Sequence, residues 1–454
     1  MKKIIMMITW ISLCCIGCEE LVEVEAPANQ LGTLQVYEDV QTARAALDGL
    51  YASLRDQSVL AGGNSYGMGT LLDTYTDNLD CFYNDTNGTM DIYENQPMDT
   101  NNTIETVWNT AYEQIYYANS LVVGLTNSQA IDTDTKAQLI GETIVLRSLI
   151  YYYLAELFGA IPYTTSIDYQ YNRQLDKMEE EVLYQQLITD VMEVMDGMAV
   201  SYRDTERTYV NRSVASLVLA KVYSTLGDYA ATEQWASEVL GNELYSFETN
   251  LEEVFHKAGT HILWQMPPQL AGNATPEATF YFFEDAAPHA YALTENLVNS
   301  FSDADLRKQQ WMVPVTVGGT TWYRVAKYQN IADNTNEYSV VFRMGEVYLL
   351  LAEALVQQGQ TTAALPYINA IRTRAGLLPL SNGSTEELLD AILQESRHEF
   401  FTEGGHRFLE LKRMGWLNTL LEVKPNWEDY NERWPLPLNE LLLNAHLYPQ
   451  NTGY

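Results

Sequence analysis

Cysteine, basic side chains and long apolar runs are all scarce in this 454-residue chain. Each shortage removes a class of protein. Of the four cysteines, Cys14 and Cys15 sit in an N-terminal leader and Cys18 stands at its end, so only Cys81 is left in the body. No intramolecular disulfide framework can form, and the core must hold by packing alone. Lysine and arginine number 26 against 60 aspartates and glutamates; the formal charge of −34 becomes −36 once Lys2 and Lys3 leave with the leader. That surplus repels polyanions, which excludes nucleic acid and electrostatic adhesion to anionic lipid and leaves neutral or cationic ligands. The apolar stretch from Ile4 to Ile16 is too short to cross a bilayer as a helix.

Enzyme signatures are missing as well. His398-Glu399 begins like a zincin motif, but the fourth residue after His398 is Thr402, which leaves a metal one ligand short. Gly67-Met-Gly69 lacks the third glycine of a dinucleotide loop, and no Gly-Lys-Ser/Thr phosphate loop occurs. Gly63-Asn-Ser65-Tyr-Gly67 has the spacing of a nucleophile elbow without a preceding apolar strand or an obvious following helix, so Ser65 reads as a loop residue. Asp85, Asn87 and Asp91 form an oxygen-rich stretch whose spacing is not that of an EF-hand, and a solvated turn is the simpler reading. The expectation is no catalytic residue, no metal and no cofactor.

What is present begins with the leader. Lys2 and Lys3, the apolar stretch, and Gly17-Cys18 followed by Glu19 and Glu20 make a secretory signal of the lipoprotein kind. On that reading residues 1–17 are removed, Cys18 is lipidated, and 18–36 is an extended tether carrying Pro27. The position three before the cysteine is Cys15 rather than Leu, so an ordinary signal peptide with Cys18 incidental is the alternative. From 37 onward the chain reads as one domain. Val40, Ala43, Leu47, Leu50 and Tyr51 form a stripe at spacings of three and four, and similar stripes recur at about 104–125, 136–158, 178–199, 211–240 and 343–376. Residues 215–240 and 348–370 repeat one order: a helix rich in Leu and Ala, a Gly at 227 or 359, then small residues and aromatics on the next helix. Such hairpins resemble tetratricopeptide units, with a generic helical bundle as the alternative. The scaffold is therefore placed at about 37–60, 104–245 and 343–420, and the fold class is all-α. Residues 61–103 are rich in Gly, Asn, Asp, Thr and Tyr, and residues 260–340 mix short strand-like runs such as His261–Met266 with loops. Long irregular stretches of this kind often carry function.

Several motifs spread along the chain resemble the SusD/RagB family. They include Leu146-Arg147-Ser148 through Tyr153 to Phe158-Gly159-Ala160-Ile161-Pro162, and Arg343 to Ala354. Further along come Ile371-Arg372-Thr-Arg374-Ala375-Gly376, Arg397-His-Glu399-Phe400 with Glu403-Gly404 and Arg407, and the tail from Trp434-Pro435 to Tyr454. The resemblance implies about four tetratricopeptide-type helix pairs and a loop-rich ligand region. It also implies an outer-membrane, cell-surface lipoprotein that captures oligosaccharide or peptide and passes it, as a lid, to a TonB-dependent SusC-like transporter without cutting it. Sugar rings stack their C–H faces on aromatics while hydroxyls need fixed amides, carboxylates or guanidinium groups. Tyr75, Asp77, Asn78 and Tyr83 in the first irregular stretch, and Tyr281, Trp311 and Trp322 in the second, supply that mixture and are the expected ligand contacts. Glu346 and Glu353 share a helix face and read as structural ion pairs with Arg343, Arg372 or Arg374 rather than a catalytic pair. Arg397, Glu399, Glu403 and Arg407 alternate sign at helical spacing and read as a salt-bridged surface or a helix-packing network rather than as ligand contacts. Peptide capture by the same architecture, a surface glycoside hydrolase and a helical-repeat adaptor stay open beside glycan capture.

Overall fold

The computed structural model describes residues 36–84 and 88–454. The leader, Cys18, the tether up to residue 35, and Asp85 and Asn87 lie outside the described residues.

Helix α1 (Val40–Gln57) starts at Asp39, whose carboxylate accepts from the Gln41 and Thr42 amides, and it buries the striped residues Ala43, Leu47, Leu50, Tyr51 and Leu54. Helix α2 (Met68–Tyr75) follows, buried over seven of its eight residues. It lies in the stretch expected to be irregular, because a short helix buried nearly all round, with Thr70, Asp73 and Thr74 among the buried residues, shows no apolar stripe at a 3.6-residue period. Helices α3 (Asn102–Asn127) and α4 (Thr133–Phe158) are capped by Asn101 and Asp132 and form a hairpin. The last fourteen residues of α4, Val145–Phe158, are all buried, since α3 packs on one side and α5 (Glu180–Met195) on another. Next come α6 (Arg212–Thr225) and α7 (Tyr229–Leu240), then α8 (Met344–Gln357), α9 (Thr361–Arg374), α10 (Thr385–Phe400) and α11 (His406–Arg413).

From α3 to α10 each helix packs on the next, giving a continuous stack of hairpins. Helix α7 packs directly on α8 although residues 241–343 intervene, so this long segment is an insertion looped out of an unbroken repeat array. The two repeat units legible in the sequence are α6–α7 and α8–α9.

The insertion builds a second body. A four-stranded antiparallel sheet has the order β1-β3-β5-β4, from β1 (Leu79–Cys81), β3 (Tyr291–Leu293), β4 (Met312–Val317) and β5 (Thr320–Val325). A two-stranded sheet pairs β2 (Ile262–Met266) with β6 (Ser339–Arg343). One face of the larger sheet covers a core of Leu79, Cys81, Tyr281, Tyr291, Leu293, Trp311, Met312 and Phe401.

Buried charge holds the two bodies together. Glu399 of α10 is fully enclosed and receives Arg343 from the end of β6, Arg374 from α9 and Arg307 from the insertion. Arg307 also pairs with Asp305 at 2.7 Å and Glu395 at 2.8 Å. Lys327 reaches the Phe401 carbonyl at 2.7 Å and Glu403 at 2.5 Å. Arg397, Glu399, Glu403 and Arg407 are all ion-paired in the interior, but not with one another: the two arginines hold Asp77, Glu399 holds Arg307, Arg343 and Arg374, and Glu403 holds Arg343 and Lys327. A short turn completes the contact: Gly63 has φ +58, and a Cβ there would fall 2.3 Å from the Glu277 backbone nitrogen.

Candidate functional site

Five of the seven expected ligand contacts are core residues. Tyr75 is fully buried, packs edge-on against Trp427 and Trp434 with centroids 5.3 and 5.9 Å away, and donates its hydroxyl to the Asn431 carbonyl at 2.9 Å. Asp77 is 6% exposed and is gripped by Arg407 at 2.9 and 3.0 Å and by Arg397 at 3.0 Å. Asn78, fully buried, accepts from Arg397 Nε at 2.9 Å. Tyr281 shares a 2.7 Å hydrogen bond with Thr70, and Trp311 packs on Phe255 and Phe401. The expectation for these five is corrected to a packing role. Composition marked their segments as irregular, but Tyr281 and Trp311 fill the second core, Tyr75 fills the core of the helical stack, and Asp77 and Asn78 hold buried arginines.

Tyr83 and Trp322 are the two that remain accessible, each half-buried. They are not brought together. Tyr83 packs edge-on against Tyr291, 5.4 Å away, on the inner face of the sheet. Strand alternation sends Trp322 to the opposite face, because Tyr323 packs on the inner core while Trp322 joins Phe283, Ala292 and Val315. On this outer face Trp322 lies opposite Val315 and Arg324 opposite Val313, so Trp322 and Arg324 project the same way roughly 7 Å apart along β5. The Arg324 guanidinium lies 4.4 Å from the Phe282 ring centre and donates to the Phe283 carbonyl at 3.0 Å. A fixed indole beside a pinned guanidinium makes an open platform rather than a cleft. Arg324 was missed in the sequence; its signal was the period-two spacing from Trp322.

Catalytic geometry is not assembled from the carboxylates considered above. Glu346 and Glu353 are buried and paired with Lys221 and with Arg413, the latter at 2.9 Å. Both are structural ion pairs as expected, but their partners come from α6 and α11 rather than from Arg343, Arg372 or Arg374. Among the described residues no group of His, Cys, Asp and Glu is placed to hold a metal ion, and no helix is long and apolar enough to cross a membrane.

One buried carboxyl has an unusual titration. Burial pushes Asp73 up to about 7, even though the Thr402 amide donates to it at 2.5 Å. The folded protein then holds a proton that the unfolded chain releases above its ordinary value of 3.8, so stability falls as pH rises from about 4 to about 7. Asp73→Asn cannot ionise. We expect its melting temperature to match the parent at pH 4 and to exceed it at pH 8, as read by circular dichroism; equal melting at pH 8 would show that Asp73 ionises without penalty.

A helical-repeat stack carrying a β-rich insertion with an aromatic platform defines a class of binding scaffold. Two family models match the chain: residues 308–454 match the SusD family, and 30–224 match a SusD-like model described as "Starch-binding associating with outer membrane". The SusD-like protein P2 of Formosa agariphila is 26% identical and aligned over 100% of both chains; SusD-like protein P25 of the same organism is 23% identical over 97% of each. Among solved structures, a SusD superfamily protein from Bacteroides vulgatus superposes with a TM-score of 0.79 at 20% identity, over 92% of this chain and 100% of that one. Surface glycan-binding protein A from Bacteroides thetaiotaomicron, in complex with laminarihexaose, gives 0.76 at 16% identity over 90% and 99%. Along nearly its whole length the chain is similar to SusD-like proteins.

Proposed function

We propose that this protein captures neutral oligosaccharides on the outer face of its four-stranded sheet and delivers them, without cleaving them, to a TonB-dependent SusC-like transporter in the outer membrane. The observation that carries the reading is the Trp322–Arg324 platform. Trp322 rests on Phe283 and Val315 with part of its ring open to solvent, and Arg324 is oriented by Phe282 and the Phe283 carbonyl. An indole face takes the C–H side of a pyranose while a guanidinium donates to hydroxyls. The formal charge of −34 disfavours acidic glycans. Support also comes from two structural relatives, one solved with laminarihexaose and one called a laminarin-binding SusD-like protein, the latter with a TM-score of 0.77 at 21% identity. Attachment through acyl chains on Cys18 would leave the described body beyond a short tether, consistent with a lid that stays beside its transporter.

Calorimetric titration of the folded body with laminari-oligosaccharides and with acidic glycans tests this. We expect the neutral ligands to bind and Trp322→Ala to weaken them by about ten- to hundredfold, with Trp322→Tyr retaining part of the affinity. Unchanged affinity in Trp322→Ala would remove the platform from the proposal.

A further inference from the structure

A recess lies against α3, and none of its walls comes from the insertion that carries the platform. It is walled by Trp108, Tyr112, Ile115 and Tyr116 of α3, by Tyr169 of the one-turn helix Tyr169–Asn172, and by Leu443 of α12 (Leu438–Leu443). Its volume of about 370 Å³ falls in the range of small-molecule sites, roughly 300–1,000 Å³. The four α3 residues follow one another at four, three and one positions, which places them on one helix face. Tyr112 is fixed in that wall: it donates its hydroxyl to the Pro162 carbonyl at 2.7 Å, and its ring centre lies 4.8 Å from that of Trp108. At the rim the rings are open, with Tyr116 50% and Tyr169 67% exposed. Open aromatic faces gathered at one recess are suited to a ligand with an apolar face of its own.

Charge narrows the occupant further. Arg173 and Glu440 both line the recess, and neither has an ion-pair partner among the described residues. The Arg173 guanidinium lies 6.0 Å from the Tyr169 ring centre. A cationic ligand would gain at Glu440 and lose at Arg173, and an anionic one the reverse, so neither sign is favoured. A neutral ligand rich in hydroxyls meets no such conflict. Its hydroxyls donate to the carboxylate and accept from the guanidinium, while its C–H faces lie on the rings. The Tyr116 and Tyr169 hydroxyls, which make no hydrogen bond among the described residues, add further donors and acceptors at the rim. Deeper in the recess Asn119 is already engaged, donating to the Thr164 carbonyl at 3.0 Å and accepting from Arg147 at 2.8 Å, so recognition falls to the rim.

We infer that this recess is a second saccharide site, holding a stretch of neutral glycan between Tyr116, Tyr169, Arg173 and Glu440. It rests on the glycan reading above for its ligand class and shares no residue with the platform. Calorimetric titration of the Trp322→Ala protein with laminarihexaose and with maltohexaose isolates the recess. At least one hexasaccharide is expected to bind that variant, and adding Tyr116→Ala with Tyr169→Ala should weaken it about tenfold or more. Arg173→Met and Glu440→Gln should each weaken it about three- to tenfold, and the affinity should not change with salt, as for an uncharged ligand. Tyr116, Tyr169 and Arg173 are exposed, so their variants keep the fold, checked by their melting temperatures. No binding by the Trp322→Ala protein overturns the inference; if the parent binds, the platform reading stands. Residual binding indifferent to the tyrosine pair overturns it as well. Parent binding untouched by Trp322→Ala and lost with the tyrosine pair supports the recess and removes the platform. Tighter binding by a hexamer of uronic acids, or by a peptide bearing Leu and Trp, assigns the recess to another ligand class and overturns the inference.

Discussion

Replacing Glu399 by Ala is expected to destabilise the protein by about 3–5 kcal/mol. Glu399 is fully buried and is the shared counter-ion of Arg307, Arg343 and Arg374, which are themselves enclosed. Removing it leaves the buried Arg374 without a carboxylate partner and takes one of several acidic partners from Arg343 and Arg307. Arg343 retains Glu403, and Arg307 retains Asp305 and Glu395, so the loss is confined to one node. The three arginines come from the end of β6, from α9 and from the insertion, so the variant should loosen the insertion from the stack as well as lower global stability. Urea unfolding followed by tryptophan fluorescence reads both. A loss under about 1 kcal/mol would mean that water or neighbouring acids replace Glu399 at no cost.

The pH dependence follows from the same geometry. Burial alone would raise the Glu399 carboxyl, but Arg374, Arg343 and Arg307 outweigh it and hold the group well below the usual carboxylate range. A depressed folded pKa contributes stability that is complete above the unfolded value of about 4.3 and is lost as pH falls below it. The parent should therefore lose stability steeply under acid conditions. Glu399→Ala, lacking that carboxyl, should show a shallower acid limb.

The second large effect is expected at Asp77. Asp77→Ala should cost about 3–5 kcal/mol, because it strips the carboxylate from Arg397 and Arg407, both mostly buried. Burial works against the Asp77 carboxylate, yet the two guanidinium groups prevail and lower its pKa. Arg397 keeps the Asn78 side chain at 2.9 Å and Asn296 at 2.7 Å, whereas Arg407 loses both of its partners in the bidentate pair. Arg407→Met in the same background should recover part of the loss, since an apolar side chain of similar length leaves no orphaned charge. If Asp77 instead served a ligand directly, its removal would abolish glycan binding in a protein of unchanged stability; differential scanning calorimetry paired with a binding titration separates these outcomes.

Much of the architecture could be read from residue order because helices report themselves locally. The stripe at Val40, Ala43, Leu47, Leu50 and Tyr51, and the Gly227 and Gly359 junctions, depend on neighbours within a few positions, so periodicity sufficed to place α1, α6–α7 and α8–α9. Helix α2 escaped because it is buried nearly all round. The site was harder to read. Tyr75, Tyr281 and Trp311 have the chemistry of ligand contacts, and nothing in their sequence distinguishes a ring that stacks on sugar from one that fills a core.

By itself, then, the amino-acid order determined the helical stack, the acidic balance that disfavours polyanions and the separation of the chain into regular and irregular stretches. These are properties of composition and of spacing over a turn or two. Only the tertiary structure decided that residues 241–343 are an insertion beside an unbroken stack, and that Asp77 and Glu399 are interior counter-ions. It alone sent Trp322 outward and Tyr83 inward, and it set Tyr116 and Leu443 around one recess. Each of those outcomes depends on contacts between residues far apart in the chain, where burial and charge pairing are settled by which surfaces meet.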